Sequence, residues 1–225
     1  MVASEPPMRI VCLSDTHNLH GRIAVPDGDV LVHAGDLTMR GTAEEIARFD
    51  SWLAAQPHRE KIVVAGNHDF LFEREPERAR QLLTAGTYLC DSGLTVEGVR
   101  FWGSPWQPWF MDWAFNLPRG SALEARWRLI PEGTDVLVTH SPPHGILDEV
   151  ARLLSFEIEA GHGPDAHVGC EELRKAVERL RPRLHVFGHI HESYGRESRD
   201  GVAFVNASNC DRRYRPVNPP VVVDL

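Results

Sequence analysis

The chain has 225 residues, and 42% of them are hydrophobic, which is enough to bury the core of one large domain or two small ones. This composition excludes a disordered chain, a collagen-like repeat and a small disulfide scaffold. Acidic residues outnumber basic residues by 32 to 24, so the formal net charge is −8 and neither a long nucleic acid nor an anionic membrane is an expected partner. Twelve histidines are a high count for this length and need an explanation.

The four cysteines lie far apart and form no CxxC pair, so we expect reduced, mostly buried thiols. The first residues are polar and include two prolines, and they show no apolar segment of the kind that a signal peptide contains. No run approaches the roughly 18 apolar residues that a membrane-spanning helix needs. The sequence therefore predicts a disordered tail over 1–7, a single domain over 8–225 and a cytoplasmic protein.

Five short apolar runs, rich in β-branched residues, predict buried strands that each end in polar residues. The runs cover 9–13, 30–32, 62–64, 136–138 and 184–187. The polar residues that follow them are Asp15 and His17, Asp36, Asn67-His68-Asp69, His140, and the pair His189 and His191. Because ligands collect at the carboxyl edge of such a sheet, we expect these side chains to meet there.

Amphipathic segments between these strands predict helices. One over 42–56 opens with a Thr42/Glu45 capping box, and another begins near Pro76. A third over 121–130 shows the same capping signature at Ser121 and Glu124, and a fourth covers 170–180. Later segments over 94–102, 201–206 and 221–223 predict further strands, with turns at Glu97-Gly98 and Asp200-Gly201. This alternation indicates an α/β fold, and the surplus of strands indicates two sheets rather than one.

The polar residue types at the strand ends are those that hold two divalent cations. A pair of ions about 3.5 to 4 Å apart needs an anionic ligand that bridges them, and Asp36 is our candidate. We predict that Asp15, His17 and His191 complete one metal site, and that Asn67, His140 and His189 complete the other. Each histidine alone is more typical of a structural residue, but five such signals in chain order rarely arise by chance.

Two bound cations create a positive point inside this acidic protein, which suits a phosphoryl group. They also lower the pKa of bound water to about 7, so hydroxide becomes available as a nucleophile. His68 follows a predicted ligand, and we predict that it protonates the leaving alkoxide or holds a phosphate oxygen, with support of the site as the alternative. Asp69 is predicted either to orient the His68 imidazole or to cap the segment that follows.

This order of motifs resembles that of the calcineurin-like metallophosphoesterases. The segments GSPWQPWF at 103–110, IPEGTDV at 130–136 and VNAS at 205–208 are similar to the MPPED group within that family. The resemblance implies a four-layer α/β/β/α sandwich of two mixed sheets, a dinuclear centre at the strand ends held by the ligands named above, and His68 as proton donor. Some animal MPPED sequences show glycine at the first histidine of the Gly-His-x-His motif, whereas this chain keeps His189.

The resemblance also implies hydrolysis of small phosphodiesters such as 2′,3′- or 3′,5′-cyclic nucleotides, with two divalent or transition metal ions as cofactors. Manganese is expected first, and iron, zinc, cobalt or nickel are the alternatives. A phosphomonoesterase or protein phosphatase is the competing enzyme hypothesis. A metal-binding scaffold with little turnover is a third hypothesis, which the complete ligand set disfavours.

Further residues are candidate substrate contacts. Asn18 and Asn206 adjoin predicted strand ends, so each is a candidate phosphate contact beside Asn67 and His68. Trp106 lies in a segment over 102–127 that holds five of the six tryptophans. We favour an aromatic core for this segment, and a wall on which a nucleobase stacks is the alternative that makes Trp106 a substrate contact.

Two other features receive a structural interpretation. The glycine-rich loop within 147–168 is favoured as a solvated connection, and a lid that carries His162 or His167 toward substrate is the alternative. Five arginines between 196 and 215 form the late basic concentration of the chain, and we expect them to be a solvated surface.

Overall fold

The computed structural model describes residues 7–150 and 167–225, and its first β-sheet contains most of the strands predicted in the N-terminal half. This sheet comprises β1 (Arg9–Leu13), β2 (Val30–Ala34), β3 (Glu60–Val64), β4 (Thr87–Tyr88) and β13 (Val221–Asp224), in the order β13-β1-β2-β3-β4. Strands β1 to β4 are parallel and β13 is antiparallel to β1. Every residue of β2 is buried, as expected for a parallel strand that is covered on both faces.

The second sheet is mixed and has six strands. It comprises β5 (Ser92–Val96), β6 (Val99–Ser104), β9 (Val136–Thr139), β10 (Leu184–Phe187), β11 (Gly195–Arg199) and β12 (Val202–Asn206), in the order β11-β12-β10-β9-β6-β5. Two hairpins, β5–β6 and β11–β12, form its edges, and the inner strands are parallel. Two short parallel strands, β7 (Gln107–Pro108) and β8 (Asn116–Leu117), form a separate pair.

Helices cover the outer faces of both sheets. The first sheet is covered by α1 (Ala43–Ala54), α2 (Phe70–Arg74) and α3 (Pro76–Leu82), and the second by α4 (Ser121–Trp127) and α5 (Glu171–Leu180). A third apolar cluster, with Ile10 and Val32 from one sheet and Val138 and Val186 from the other, fills the space between the sheets. The four-layer α/β/β/α sandwich of two mixed sheets is therefore confirmed.

The structure confirms one of the two predicted helix caps and contradicts the other. The Thr42/Glu45 capping box is present at the start of α1. The capping signature at Ser121 is wrong, because the N-cap of α4 is Gly120 at φ +89° and its backbone N–H donates to the Glu172 carboxylate at 2.6 Å. The turn predicted at Glu97-Gly98 is present, joins β5 to β6 as a hairpin, and has positive φ at both residues. Helix α2 and strand β11 were not predicted.

Two sequence predictions concern residues outside the described part of the chain. These are the tail, of which residues 1–6 are not described, and the loop with His162, of which residues 151–166 are not described. The prediction of one domain over 8–225 stays a prediction. Among residues 7–150 and 167–225, no helix has the length and apolar character needed to cross a membrane.

Candidate metal centre

The carboxyl ends of the parallel strands in both sheets point to one edge of the sandwich, and the predicted ligands lie there. Strands β1, β2 and β3 of the first sheet lead into Asp15 and His17, Asp36, and Asn67, respectively. Strands β9 and β10 of the second sheet lead into His140 and the pair His189 and His191. Parallel pairing within each sheet and packing of the two sheets against each other thus bring together residues that are up to 176 positions apart in sequence.

One group of donors consists of Asp15, His17 and His191. His191 Nε2 lies 3.2 Å from Asp15 Oδ1 and 3.3 Å from His17 Nε2. His17 Nε2 lies 3.9 Å from the same Asp15 oxygen, and the three ligand atoms surround one small volume that an ion could fill.

A second group consists of Asn67, His140 and His189, and Asp36 lies between the two groups. Asn67 Oδ1 is 2.9 Å from both His140 Nε2 and His189 Nδ1. Asp36 Oδ1 is 3.5 Å from His140 Nε2, and Asp36 Oδ2 is 3.7 Å from His17 Nε2. The two oxygens of Asp36 therefore face different groups, as a bridging carboxylate must.

The orientation of the imidazoles shows that this donor set fits cations. His140 Nδ1 donates to the Ala34 carbonyl at 2.9 Å, and His191 Nδ1 donates to the Asp211 carbonyl at 3.0 Å. Because a carbonyl only accepts, a hydrogen is on Nδ1 of each ring, and Nε2 is the atom that faces the cluster. Burial lowers the pKa of His140, so this ring is neutral and its Nε2 lone pair faces another acceptor, Asn67 Oδ1. A cation between these atoms turns a repulsive contact into two ligand bonds.

The buried negative charge of the cluster also indicates that the donor set fits cations. Asp15 and Asp36 are buried side by side, and burial together with the neighbouring Asp15 and Asp69 carboxylates raises the pKa of Asp36 well above its usual value. Buried carboxylates are stable as anions only where positive charge or several hydrogen bonds hold them, and in the described part of the chain Asp36 accepts one hydrogen bond, from the His68 N–H. No Lys or Arg among the described residues forms an ion pair with Asp36, whose ion-pair partners there are three histidines, His17, His68 and His140. Divalent ions would supply the missing charge.

The backbone at the cluster is strained in a way that aims the side chains. Asp15 (φ +54°), His17 (φ +41°), Asp36 (φ +54°) and His189 (φ +69°) all adopt left-handed conformations, which cost non-glycine residues about 1 kcal/mol or more each. Such outliers concentrate at sites where function fixes the geometry. Four of them within one cluster indicate that the strand ends are shaped for ligand placement rather than for local stability.

Gly66 leaves room for Asp36, and this leads to a testable prediction. A Cβ on Gly66 would overlap both Asp36 Oδ1 and the Asp36 backbone nitrogen and would lie 2.7 Å from His140 Cε1, although the Gly66 backbone itself has no positive φ. We expect Gly66→Ala to be less stable and to bind metal at least about tenfold more weakly, because the backbone and the carboxylate of Asp36 must both move. Gly21→Ala, where a Cβ meets nothing within 4 Å, is the control. Metal titration of both variants checks this, and equal affinities would contradict it.

His68 lies beside the donors with its ring oriented by the backbone. Its Nδ1 donates to the Met39 carbonyl at 2.8 Å, so its Nε2 faces the cluster, 4.0 Å from Asp36 Oδ2. The backbone N–H of His68 donates to Asp36 Oδ1 at 2.8 Å, which also fixes that carboxylate. Its Nε2 is placed for contact with a group that approaches the cluster from the open side.

Asp69 takes the N-cap position of α2, as one of its two predicted roles requires, but its carboxylate bonds elsewhere. Its buried carboxylate accepts hydrogen bonds from the Leu37, Thr38 and Gly66 backbone N–H groups and from the Thr38 hydroxyl. It forms no side-chain cap on α2, and the Met39 carbonyl rather than Asp69 orients the His68 ring. Asp69 instead ties the loop after β2 to the loop after β3, and so fixes Asp36 relative to Asn67. It is a positioning residue and not a catalytic one.

Three predicted substrate contacts are engaged elsewhere. The Asn206 amide donates to the Leu147 and Ile190 carbonyls and accepts from Ser208, so it supports the turn between His189 and His191. Trp106 Nε1 donates to Asp91 at 2.8 Å, and its ring packs under the Arg126 guanidinium, in agreement with the aromatic-core interpretation. The Asn18 amide donates to Glu45 at 2.6 Å. The structure brings none of the three into the cavity described next.

A cavity of about 290 Å³ opens over the cluster, and its walls combine predicted site residues with residues that the sequence did not single out as substrate contacts. The Trp113 ring lies 4.3 Å from the His68 ring, and the Tyr214 ring lies 4.7 Å from the His17 ring. Phe110 and Arg212 also line it, and Arg212 Nε pairs with Glu192 at 3.0 Å. Trp113 comes from the same tryptophan-rich segment as Trp106, and Arg212 from the basic stretch that was expected to be solvated surface.

The sandwich and the donor set at its edge define a class of protein, the metal-dependent enzymes that hydrolyse phosphate esters. A family model described as calcineurin-like phosphoesterase matches residues 8–193. The chain is 46% identical over 249 aligned positions to human metallophosphoesterase domain-containing protein 1, covering 99% of this chain and 73% of that protein. It is 37% identical to UPF0046 protein K07C11.7 of Caenorhabditis elegans, covering 96% of this chain and 75% of that protein.

One solved structure of another protein has a similar fold. The crystal structure of TT1561 of Thermus thermophilus superposes with a TM-score of 0.59 at 14% identity, covering 97% of this chain and 99% of that chain. The chain belongs to the calcineurin-like phosphoesterase family, and it is a metal-dependent phosphoesterase.

Proposed function

We propose that this enzyme hydrolyses small phosphodiesters, and that its centre holds two divalent ions. Asp15, His17 and His191 would hold one ion, Asn67, His140 and His189 the other, and Asp36 both. Three observations support this assignment: Nε2 of His140 and of His191 faces the cluster, Asp36 lies between the two groups of donors, and the cluster carries buried negative charge. When bound, the ions supply a water-derived nucleophile at neutral pH and positive charge for the phosphoryl oxygens.

We assign His68 as the residue that gives a proton to the departing oxygen. The Nδ1 hydrogen of His68 is engaged in a hydrogen bond to the Met39 carbonyl. The proton that His68 transfers must therefore come from Nε2, the atom that faces the cluster. Burial lowers the pKa of His68, so a smaller fraction of the rings carries the transferable proton at neutral pH, and each protonated ring is a stronger acid. The Trp113 ring beside it restrains the imidazole and limits access of bulk water.

The preference for diesters rests on the residues that line the cavity. Its walls include Trp113, Phe110 and Tyr214, which suit a flat, apolar ester group such as a nucleoside or an aryl alcohol. Arg212 is the one Lys or Arg that lines it among the described residues, and its charge is already paired with Glu192. A monoester dianion needs extra positive charge that this wall does not offer, whereas a diester carries one negative charge and two ester groups.

The direct test compares metal-loaded enzyme on bis(p-nitrophenyl) phosphate and on p-nitrophenyl phosphate. We expect the larger kcat/KM for the diester, and we expect 2′,3′- or 3′,5′-cyclic nucleotides among the accepted substrates. Faster turnover of the monoester would favour the phosphomonoesterase hypothesis and contradict the proposal. Stoichiometric metal binding without turnover of any ester in the panel would favour the scaffold.

We propose manganese as the first metal to test, because a set of carboxylate, amide oxygen and imidazole ligands without thiolate suits manganese, with iron, zinc, cobalt and nickel as alternatives. We also propose a cytoplasmic location. It is supported by the four cysteines, all free in the structure, three of which are buried.

A further inference from the structure

Tyr214 lies directly over the candidate metal centre. Its ring packs edge-on against the His17 ring, with centroids 4.7 Å apart, and lies 5.7 Å from the His191 ring and 6.1 Å from the His68 ring. The side chain lines the cavity, and Tyr214 remains 40% exposed. A phosphoryl group that reaches the donors from the cavity must therefore pass beside this phenol.

The loop that carries Tyr214 is built to hold it in place. The Asp211 carboxylate accepts from the backbone N–H groups of Arg213 and Arg215 and from the Arg215 guanidinium. The Asp211 carbonyl accepts from the Tyr214 backbone N–H at 2.8 Å and from His191 Nδ1 at 3.0 Å. One carbonyl thus fixes both a predicted ligand and Tyr214, so their relative position is set by a direct link.

The backbone of Tyr214 is strained, and its hydroxyl has no hydrogen-bond partner among the described residues. Its φ of +53° is left-handed, which is uncommon for a bulky residue and costs about 1 kcal/mol or more. Within residues 7–150 and 167–225, no group forms a hydrogen bond with the Tyr214 hydroxyl, whereas the Tyr194 hydroxyl donates to the Pro219 carbonyl at 2.9 Å. A strained residue whose hydroxyl has no partner in the described part of the chain, above a cluster of donors, is suited to a ligand contact.

We propose that the Tyr214 hydroxyl donates a hydrogen bond to a non-bridging oxygen of the bound phosphodiester. A phenol is a neutral donor at pH 7, so it stabilises a phosphoryl oxygen without adding the positive charge that a monoester dianion would demand. This matches the cavity wall, where the charge of Arg212 is paired with Glu192. The inference rests on the proposed function and adds a residue that recognises its substrate.

The test compares Tyr214→Phe with Tyr194→Phe, which removes a hydroxyl from a tyrosine that does not line the cavity. For bis(p-nitrophenyl) phosphate we expect kcat/KM of Tyr214→Phe to fall about 10- to 100-fold, the range for a hydrogen bond to a charged group. The dissociation constant of inorganic phosphate, measured by calorimetry on metal-loaded protein, should rise about tenfold. Metal content should equal that of the wild type, and Tyr194→Phe should match the wild type in all three measurements.

Two results would overturn the inference. The first is a kcat/KM and a phosphate affinity of Tyr214→Phe within twofold of those of Tyr194→Phe. The second is a loss of metal in Tyr214→Phe, which would make Tyr214 a support for His17 and not a substrate contact. Neither result depends on whether the wild type prefers diesters, so failure of this inference and failure of the proposed function are distinguishable.

Discussion

His140→Ala is expected to lose one of two bound metal ions and to lower kcat/KM by more than about 100-fold, the upper effect of removing a group that merely supports a metal ligand. The reason is geometric. His140 Nε2 faces both Asn67 Oδ1 and Asp36 Oδ1, so its removal leaves one group of donors with a gap on its buried side. Metal content by mass spectrometry and the rate on bis(p-nitrophenyl) phosphate measure the two effects.

The control is His185→Ala, on the neighbouring strand β10. His185 is also fully buried, and its Nε2 contacts the Thr139 hydroxyl at 2.9 Å, but the ring takes no part in the donor cluster. Both variants leave a cavity of similar origin, so we expect similar losses of stability and a loss of metal in His140→Ala alone. Two ions retained by His140→Ala would contradict the ligand assignment.

His68→Ala is expected to keep both metal ions and to lower kcat by about 10² to 10⁴, the usual contribution of a general acid. Metal is retained because His68 fixes Asp36 through its backbone N–H, which alanine preserves. The loss should be larger for an alkyl ester, whose alkoxide needs a proton, than for p-nitrophenolate, which leaves as a stable anion. Rates on a series of esters with different leaving groups test this.

His58→Ala is the matched control, because its imidazole also bonds a backbone carbonyl, that of Pro26 at 3.0 Å, and it lines no part of the cavity. We expect its rates to equal those of the wild type. An equal loss for all leaving groups in His68→Ala would show that His68 holds the phosphate or supports the site instead of donating the proton.

The sequence was informative where local pattern and topology agree. Strands such as β2 and β10 are short, mostly apolar runs with one histidine each, followed by Gly-Asp or Gly-His, so their positions and their polar ends were predictable. Parallel pairing within each sheet and packing of the two sheets against each other place those ends at one edge of the sandwich, which is why Asp36 and His140 lie 3.5 Å apart although no local signal connects them. The Thr42 capping box was predictable because its interactions span only three residues.

The sequence was uninformative where a long loop decides the outcome. Trp106 and Trp113 lie in one aromatic segment, and Trp113 reaches His68 because the Ala114 N–H bonds the Asn67 carbonyl at 3.1 Å. The same holds for Tyr214, whose place depends on the Asp211 loop after β12. Such contacts form between distant segments and leave no periodicity in the sequence.

The most direct test of a dinuclear centre is a crystal structure of the manganese-loaded protein with anomalous scattering data collected near the manganese absorption edge. We predict two anomalous peaks about 3.5 to 4 Å apart, both within ligand distance of Asp36. One peak should be coordinated by Asp15, His17 and His191, and the other by Asn67, His140 and His189. A single peak, or two peaks that do not share Asp36, would contradict the central claim that these strand ends build a dinuclear centre.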